Sequence, residues 1–154
     1  MSRQVFAHEV NSFPIKAPFS FQAVVRGELV FIKMYRENQE VGSQSCLADS
    51  SGMYFEIGRV YPPYRRLGYG TWIRAVIAWC AKRAGYKRLF QISTFMNNTP
   101  ATQRPTSAYI MNKLGFGYQT NNTIMSNSPR NEHRVLNLNQ NIKKVNEIIK
   151  NIKN

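Results

Sequence analysis

The sequence predicts a single α/β domain of the α+β kind, with a mixed central sheet around a βαβ core. Three observations predict it. β-Rich segments at 21–26, 29–36 and 53–61 precede a stretch from Gly68 to Ala84 with a helical period. There Ile73, Val76, Ile77, Cys80 and Ala84 fall on one stripe, with Arg74 and Lys82 off it. A further β-rich segment, Arg88–Phe95, follows, and strand, helix and strand in that order make a parallel crossover. At 154 residues the chain has the length of one domain, enough to bury about 68–70% of its unfolded surface.

The elements follow in order. A short strand is expected around Gln4–Glu9, with Pro14 and Pro18 as breakers after it. Phe21–Arg26 and Leu29–Arg36 flank Gly27-Glu28 and predict a hairpin. Glu37–Gly52 is polar and rich in turn residues, so a loop is expected there. Met53–Tyr61 predicts a strand stopped by Pro62-Pro63, and Gly85 is placed to end the helix that follows. Thr106–Leu114 predicts a helix stopped by Gly115, and Phe116–Gln119 with Arg134–Leu138 a closing pair of strands. The domain is assigned to 1–138. Residues 139–154 form a basic amphipathic tail in which Ile142, Val145, Ile149 and Ile152 share a helical stripe. That stripe fits docking on its own domain; a homodimer or partner contact and a nucleic-acid or membrane surface stay open.

Composition removes several function classes. Hydrophobic residues make up 43% and charged residues 19%, so the chain is no disordered basic tail. No apolar run approaches the ~18 residues of a membrane span, and the N-terminal segment is too charged for a signal peptide. No membrane insertion and a cytoplasmic location are therefore expected. Two cysteines and two histidines give no metal-ligand spacing, and no metal is expected. The charge is lopsided. Lys and Arg number 21 against 8 acids, and the eleven basic residues between Glu56 and Glu132 have no acid among them. A field of one sign over half a domain attracts anions.

One turn concentrates these signals. Val60-Tyr61-Pro62-Pro63-Tyr64-Arg65-Arg66-Leu67-Gly68-Tyr69-Gly70-Thr71 carries Arg-x-x-Gly-x-Gly directly before a helix. The glycines let the backbone approach a bulky ligand, and the free amides and dipole of the helix start favour a phosphate or pyrophosphate. Neither a Walker loop nor a complete Rossmann fingerprint is present. The stretch 60–70 resembles the acetyl-CoA motif of the GNAT superfamily of N-acetyltransferases. Ser107-Ala108-Tyr109-Ile110-Met111-Asn112-Lys113-Leu114-Gly115-Phe116 resembles that family's closing helix, closest to its ribosomal-protein N-terminal acetyltransferase branch. The two together cover roughly residues 53–120.

The resemblance implies a GNAT-like domain with acetyl-CoA as co-substrate. It implies that backbone amides of Arg66 to Thr71 cradle the pyrophosphate, with Arg65, Leu67, Gly68, Tyr69 and Gly70 forming the loop. It further implies that the strands carrying Val60 and Phe95 splay apart to hold the pantetheine arm, beside Asn97 and Asn98. An acyl transfer there needs a base for the amine, donors for the developing oxyanion near Val60, and a partner for the departing thiolate. Glu56 is the natural base, acting through water. It lies four residues before Val60 on one strand, hence on the same face, and relatives often place a Glu on this strand. His8 and His133 are weaker candidates. Many relatives have Tyr where this chain has Met111. Ser107, one turn earlier on that face, is the expected thiolate partner, with Tyr118 an alternative.

The N-terminal third departs from the family pattern. Typical members place two helices between the first and second strands; here the N-terminal helices are abbreviated. An open acceptor site suits a macromolecule. The expected activity is N-acetylation of an amine on a protein or on a nucleic-acid-linked acceptor such as aminoacyl-tRNA, with RNA, DNA or protein as the acidic partner. A non-catalytic basic binding module on the same scaffold is the alternative reading.

Overall fold

A computed structural model describes residues 2–95, 104–118 and 130–154. Its elements are α1 (Arg3–Asn11), β1 (Phe19–Arg26), β2 (Leu29–Arg36), β3 (Gln39–Asp49), β4 (Gly52–Val60), α2 (Tyr69–Arg83), β5 (Arg88–Phe95), α3 (Arg104–Leu114), β6 (Gly117–Tyr118), β7 (Arg130–Asn137) and α4 (Lys143–Ile152), with a short 3-10 turn at Pro62–Tyr64. Among the described residues the strands form one seven-stranded sheet in the order β1-β2-β3-β4-β5-β7-β6. Among the described pairings β4 and β5 are the parallel neighbours, and the crossover helix α2 joins them. β1 and β2 form a tight hairpin at Gly27-Glu28, with no helix between them. The domain is thus a single GNAT-like mixed sheet with an abbreviated N-terminal part.

Two expectations fail for identifiable reasons. Gln4–Glu9 is helix, not strand. Ser2 caps it by accepting from the Val5 amide at 3.0 Å, and Phe6, Ala7 and Val10 are buried at helical spacing. The expected loop over Glu37–Gly52 is the long strand β3. Its polar look comes from alternation: Val41, Cys46 and Ala48 enter the core, while Ser43 and Ser45 face away. Gly42 belongs there because a Cβ would lie 2.9 Å from Ile73 of α2.

The core lies between the sheet and the helices. Ile73, Val76, Ile77 and Cys80 of α2 are each 2% exposed or less, against Ile32, Met34, Met53 and Leu89. α1 leans on the same face and is pinned by Arg3 to the Ala48 carbonyl at 2.9 Å, and by Arg83 to Glu9 at 2.9 Å. α4 packs on α2 with Val145, Ile149 and Ile152 buried, so the tail shares the core of the domain. Backbone bonds from Lys16 to Ile152 and from Asn154 to Pro14 fix it beside the segment before β1. The opposite sheet face is uncovered by any described helix and shows Val24, Phe31, Ile57 and Ile92 to solvent. No helix among the described residues is long and apolar enough to cross a membrane.

Two predictions follow from this packing. Ile149→Ala should cost about 2–5 kcal/mol, read as a lowered denaturant midpoint with an unchanged slope. The Tyr61 hydroxyl donates to Glu40, and Lys33 Nζ lies 3.2 Å from the same carboxylate. The bond from Tyr61, and then the one from Lys33, hold Glu40 below the usual carboxylate pKa. That stabilisation is complete above the unfolded carboxylate value and is lost as pH falls through the lower folded one. The stability gap between wild type and Glu40→Gln should therefore shrink in denaturant melts from pH 6 down to pH 3.

Candidate active site

The site begins where β4 and β5 part. Their ladder runs Met53↔Leu89, Tyr54↔Phe90 and Phe55↔Gln91, and no further pair joins them. β4 stays with β3 as far as Gly42↔Val60, while β5 stays with β7 as far as Phe95↔Arg130. A fork therefore opens beyond Phe55. Its cause lies in the β3–β4 ladder, where the register shifts between Gln44 and Cys46. Ser45 faces two β4 residues, Glu56 and Ile57, and its Oγ accepts from the Ile57 amide at 3.1 Å. Such a bulge bends its strand and increases the twist.

The bulge also corrects the placement of Glu56. Phe55 and Gly58 both face the helices, Phe55 in the core and Gly58 against Arg74. Glu56 and Ile57 between them point to the open face, and both are exposed. Val60 lies on the helix side, next to Gly70, so Glu56 and Val60 do not share a face. The period-two count fails because one residue is inserted.

At the mouth of the fork the chain turns through Pro62–Tyr64 into α2. Arg65 folds back, its Nε donating to the Val60 carbonyl at 2.9 Å. Arg66 (φ 66°) and Gly68 (φ 84°) are both left-handed, and Gly68 is the residue before the helix. Alternating backbone of this kind turns successive amides into one anion-binding concavity. The first helical bond is Trp72 N–H to Gly68 O at 3.1 Å, so the amides before Trp72 have no helical acceptor. At Gly70 a Cβ would lie 3.2 Å from Arg74 Nη1 and 3.5 Å from Val60 Cγ2. A side chain there would fill the backbone cradle.

A cleft of about 690 Å³ runs from this turn into the fork. It brings together Val60, Arg65, Arg66, Gly68, Tyr69, Gly70 and Thr71, as the motif predicts. Tyr69 contributes little side-chain surface; it is buried against Phe19. Leu67 is 52% exposed beside the cleft rather than lining it. Sequence reasoning did not assign Gly58, Arg59, Tyr64, Arg74, Tyr109, Ile110 and Lys113 to the lining. For Arg74 a signal existed: it stands one turn after Gly70, so it shares the face of the motif glycine. A second cleft of about 560 Å³ shares Gly68, Thr71 and Lys113 with the first and adds Lys16, Trp72 and Lys144. Lys16 Nζ sits 5.2 Å from the Trp72 ring centre.

The remaining candidates separate. Met111 is sealed in the core at 1% exposed, while Tyr109, 60% exposed, stands at the cleft under Lys113. Ser107 lies on α3, but its side chain, like that of Tyr118, is outside the described residues, and so are Asn97 and Asn98. His8 is exposed on α1, and His133 is on β7 opposite Ile92.

Comparison with solved structures finds the same architecture at low identity. A GNAT family acetyltransferase from Elizabethkingia anophelis, crystallised with acetyl-CoA bound, superposes with TM-score 0.61 at 11% identity, covering 79% of this chain and 99% of that one. The ribosomal-protein-S18-alanine N-acetyltransferase from Escherichia coli gives TM-score 0.58 at 13% identity, over 90% and 77% of the two chains. The PaiA N-acetyltransferase from Thermoplasma acidophilum, in complex with coenzyme A, gives 0.54 at 12% identity, over 71% and 61%. No functionally curated protein matches the sequence. The profile of the Acetyltransferase (GNAT) family matches residues 6–104, from α1 through the fork and the Gly68–Gly70 turn. That match spans well over half of the sequence, and the chain belongs to the GNAT acetyltransferase family.

Proposed function

We propose that the protein transfers acetyl from acetyl-CoA to an amine on a macromolecule. The observation that carries this reading is the cleft that starts at the Arg66–Thr71 amides and ends inside the β4/β5 fork. Its residues fit the co-substrate. Free amides and a left-handed glycine suit a pyrophosphate, Arg65 and Arg66 add charge, and the fork admits an extended arm. The second cleft, with Trp72 and three lysines against one carboxylate, Glu147, suits the phosphorylated adenosine end. Structural neighbours crystallised with acetyl-CoA or coenzyme A support the same ligand. Asn97 and Asn98 are proposed to lie along the pantetheine arm.

In this reading bound acetyl-CoA supplies an activated acyl group, and the chain positions it and manages protons. Backbone donors near Val60 stabilise the oxyanion. Glu56, on the open face, receives the proton of the incoming amine through water. Ser107 on α3 is the proposed hydroxyl partner of the thiolate. No described helix covers the open sheet face at the fork, which suits a large acceptor, and the basic surplus favours an acidic one. The burial of Met111, where many relatives carry a proton donor, favours the second reading of a binding module without turnover.

Four measurements test these assignments. Acetyl-CoA should raise the melting temperature of the wild type; no shift would remove both the co-substrate and the enzyme reading. Gly68→Val places a β-branched residue at φ 84°, costs about 1–2 kcal/mol in the turn, and should weaken acetyl-CoA binding about tenfold or more. Glu56→Gln should lower kcat/KM about 100-fold while acetyl-CoA affinity holds; an intact rate from pH 6 to pH 9 removes Glu56 as the base. Incubation with acetyl-CoA and a cell extract, with and without nuclease, then mass spectrometry for one added acetyl group, separates protein from nucleic-acid acceptors. Ligand binding with no acetylated product in either extract would favour the binding module.

A further inference from the structure

Arg74 is a cation with an unmet need. Its Nη1 donates to the Gly70 carbonyl at 3.1 Å, while its Nε is buried without a hydrogen-bond partner. Among the described residues no carboxylate forms an ion pair with it. Burial pulls its pKa below the usual arginine value, yet a guanidinium keeps its proton in proteins. Desolvating a charge without a counter-ion is costly, and an apolar side chain of similar size would fill the space at less cost. The bond to Gly70 uses one of five donors and does not require this placement.

The position of Arg74 says what the charge can meet. The guanidinium carbon lies 5.9 Å from the ring centre of Phe55, the last β4 residue paired with β5. Its Nη2 lies 2.8 Å from where a Cβ on Gly58 would stand, the next helix-facing residue inside the fork. Arg74 thus sits at the vertex of the fork and lines the cleft that begins at Gly68–Thr71. An elongated ligand anchored by its pyrophosphate at the helix start, and running inward past Val60 and Gly58, ends at this guanidinium. In acetyl-CoA that end is the thioester.

We propose that Arg74 is a catalytic residue whose guanidinium stabilises the CoA sulfur as it leaves. This rests on the acetyl-CoA reading above. The amine lone pair forms the N–C bond, the C–S bond breaks, and its electron pair stays on sulfur as a thiolate beside Arg74. The amine proton passes to Glu56 or solvent, so charge balances with no proton delivered to sulfur in that step. Met111 is sealed in the core and donates none. A fixed cation thereby does the electrostatic part of the work of a general acid.

The test compares CoA with desulfo-CoA by calorimetric titration from pH 6.5 to pH 9. A cation at the sulfur lowers the pKa of the bound thiol below that of the free thiol. Wild-type affinity for CoA should then rise with pH between those two values, by up to about tenfold per unit, with proton release. Desulfo-CoA should lack that rise, since groups that titrate elsewhere affect both ligands alike. Arg74→Met should bind CoA with the pH profile of desulfo-CoA, and Arg74→Lys should keep part of the difference. Identical profiles for the two ligands in the wild type, or an undiminished difference in Arg74→Met, overturn the proposal. If Arg74→Met loses its circular dichroism, the wild-type comparison decides alone. Failure of both ligands to bind at every pH instead removes the acetyl-CoA reading.

Discussion

The site depends on one inserted residue. Where Ser45 faces both Glu56 and Ile57, β4 changes phase and twist, and its parallel partnership with β5 stops at Phe55. From that point each strand keeps a single neighbour, and the freed end of β4, at Gly58 to Val60, walls the inner half of the cleft. The same insertion turns Gly58 and Val60 toward α2 and leaves Glu56 on the far side. Ligand-anchoring groups and the candidate base therefore approach the fork from opposite faces of one sheet. A regular strand would have placed them together and left no opening.

The turn into α2 supplies the complementary constraint. Left-handed backbone at Arg66 costs conformational energy that only an over-determined turn sustains, while Gly68 adopts it freely. The Arg65 bond to the end of β4 fastens this turn to the rim of the fork. Rigid placement of charge and amides beside an opening of fixed width is what binding an elongated anion requires. Tertiary packing of α2 through Ile73, Val76 and Ile77 holds the arrangement from behind.

Much of this was legible in the sequence, and the failures are instructive. Arg88–Phe95 and the α2 stripe were readable because one strong period dominated each. The turn was readable because Gly68 and Gly70 have few other uses next to a helix start. β3 was hidden since Gln39–Asp49 mixes serines of the open face with a glycine and a buried glutamine, Gln44, of the closed one. α1 was hidden since nine residues allow alternation and helical spacing to compete, and the cap at Ser2 decides. The bulge leaves no local signature, as it is a property of two paired strands; hence the wrong face for Glu56. Arg74 was visible as a residue but not as a half-buried charge with a sealed Nε, because its surroundings are set by Phe55 and Gly58 of another element.

The docking of α4 joins segments far apart in the chain. Lys16 reaches the Asn151 carbonyl across 135 residues of sequence, and Ile15 bridges to Lys153. Contacts of such separation carry the largest loop-closure entropy and form only once the intervening sheet exists. The helix is thus a late clasp, held by three buried aliphatic side chains and a few backbone bonds. Because Lys144 and Ile148 form one wall of the second cleft, that wall exists only once the two ends of the chain have met.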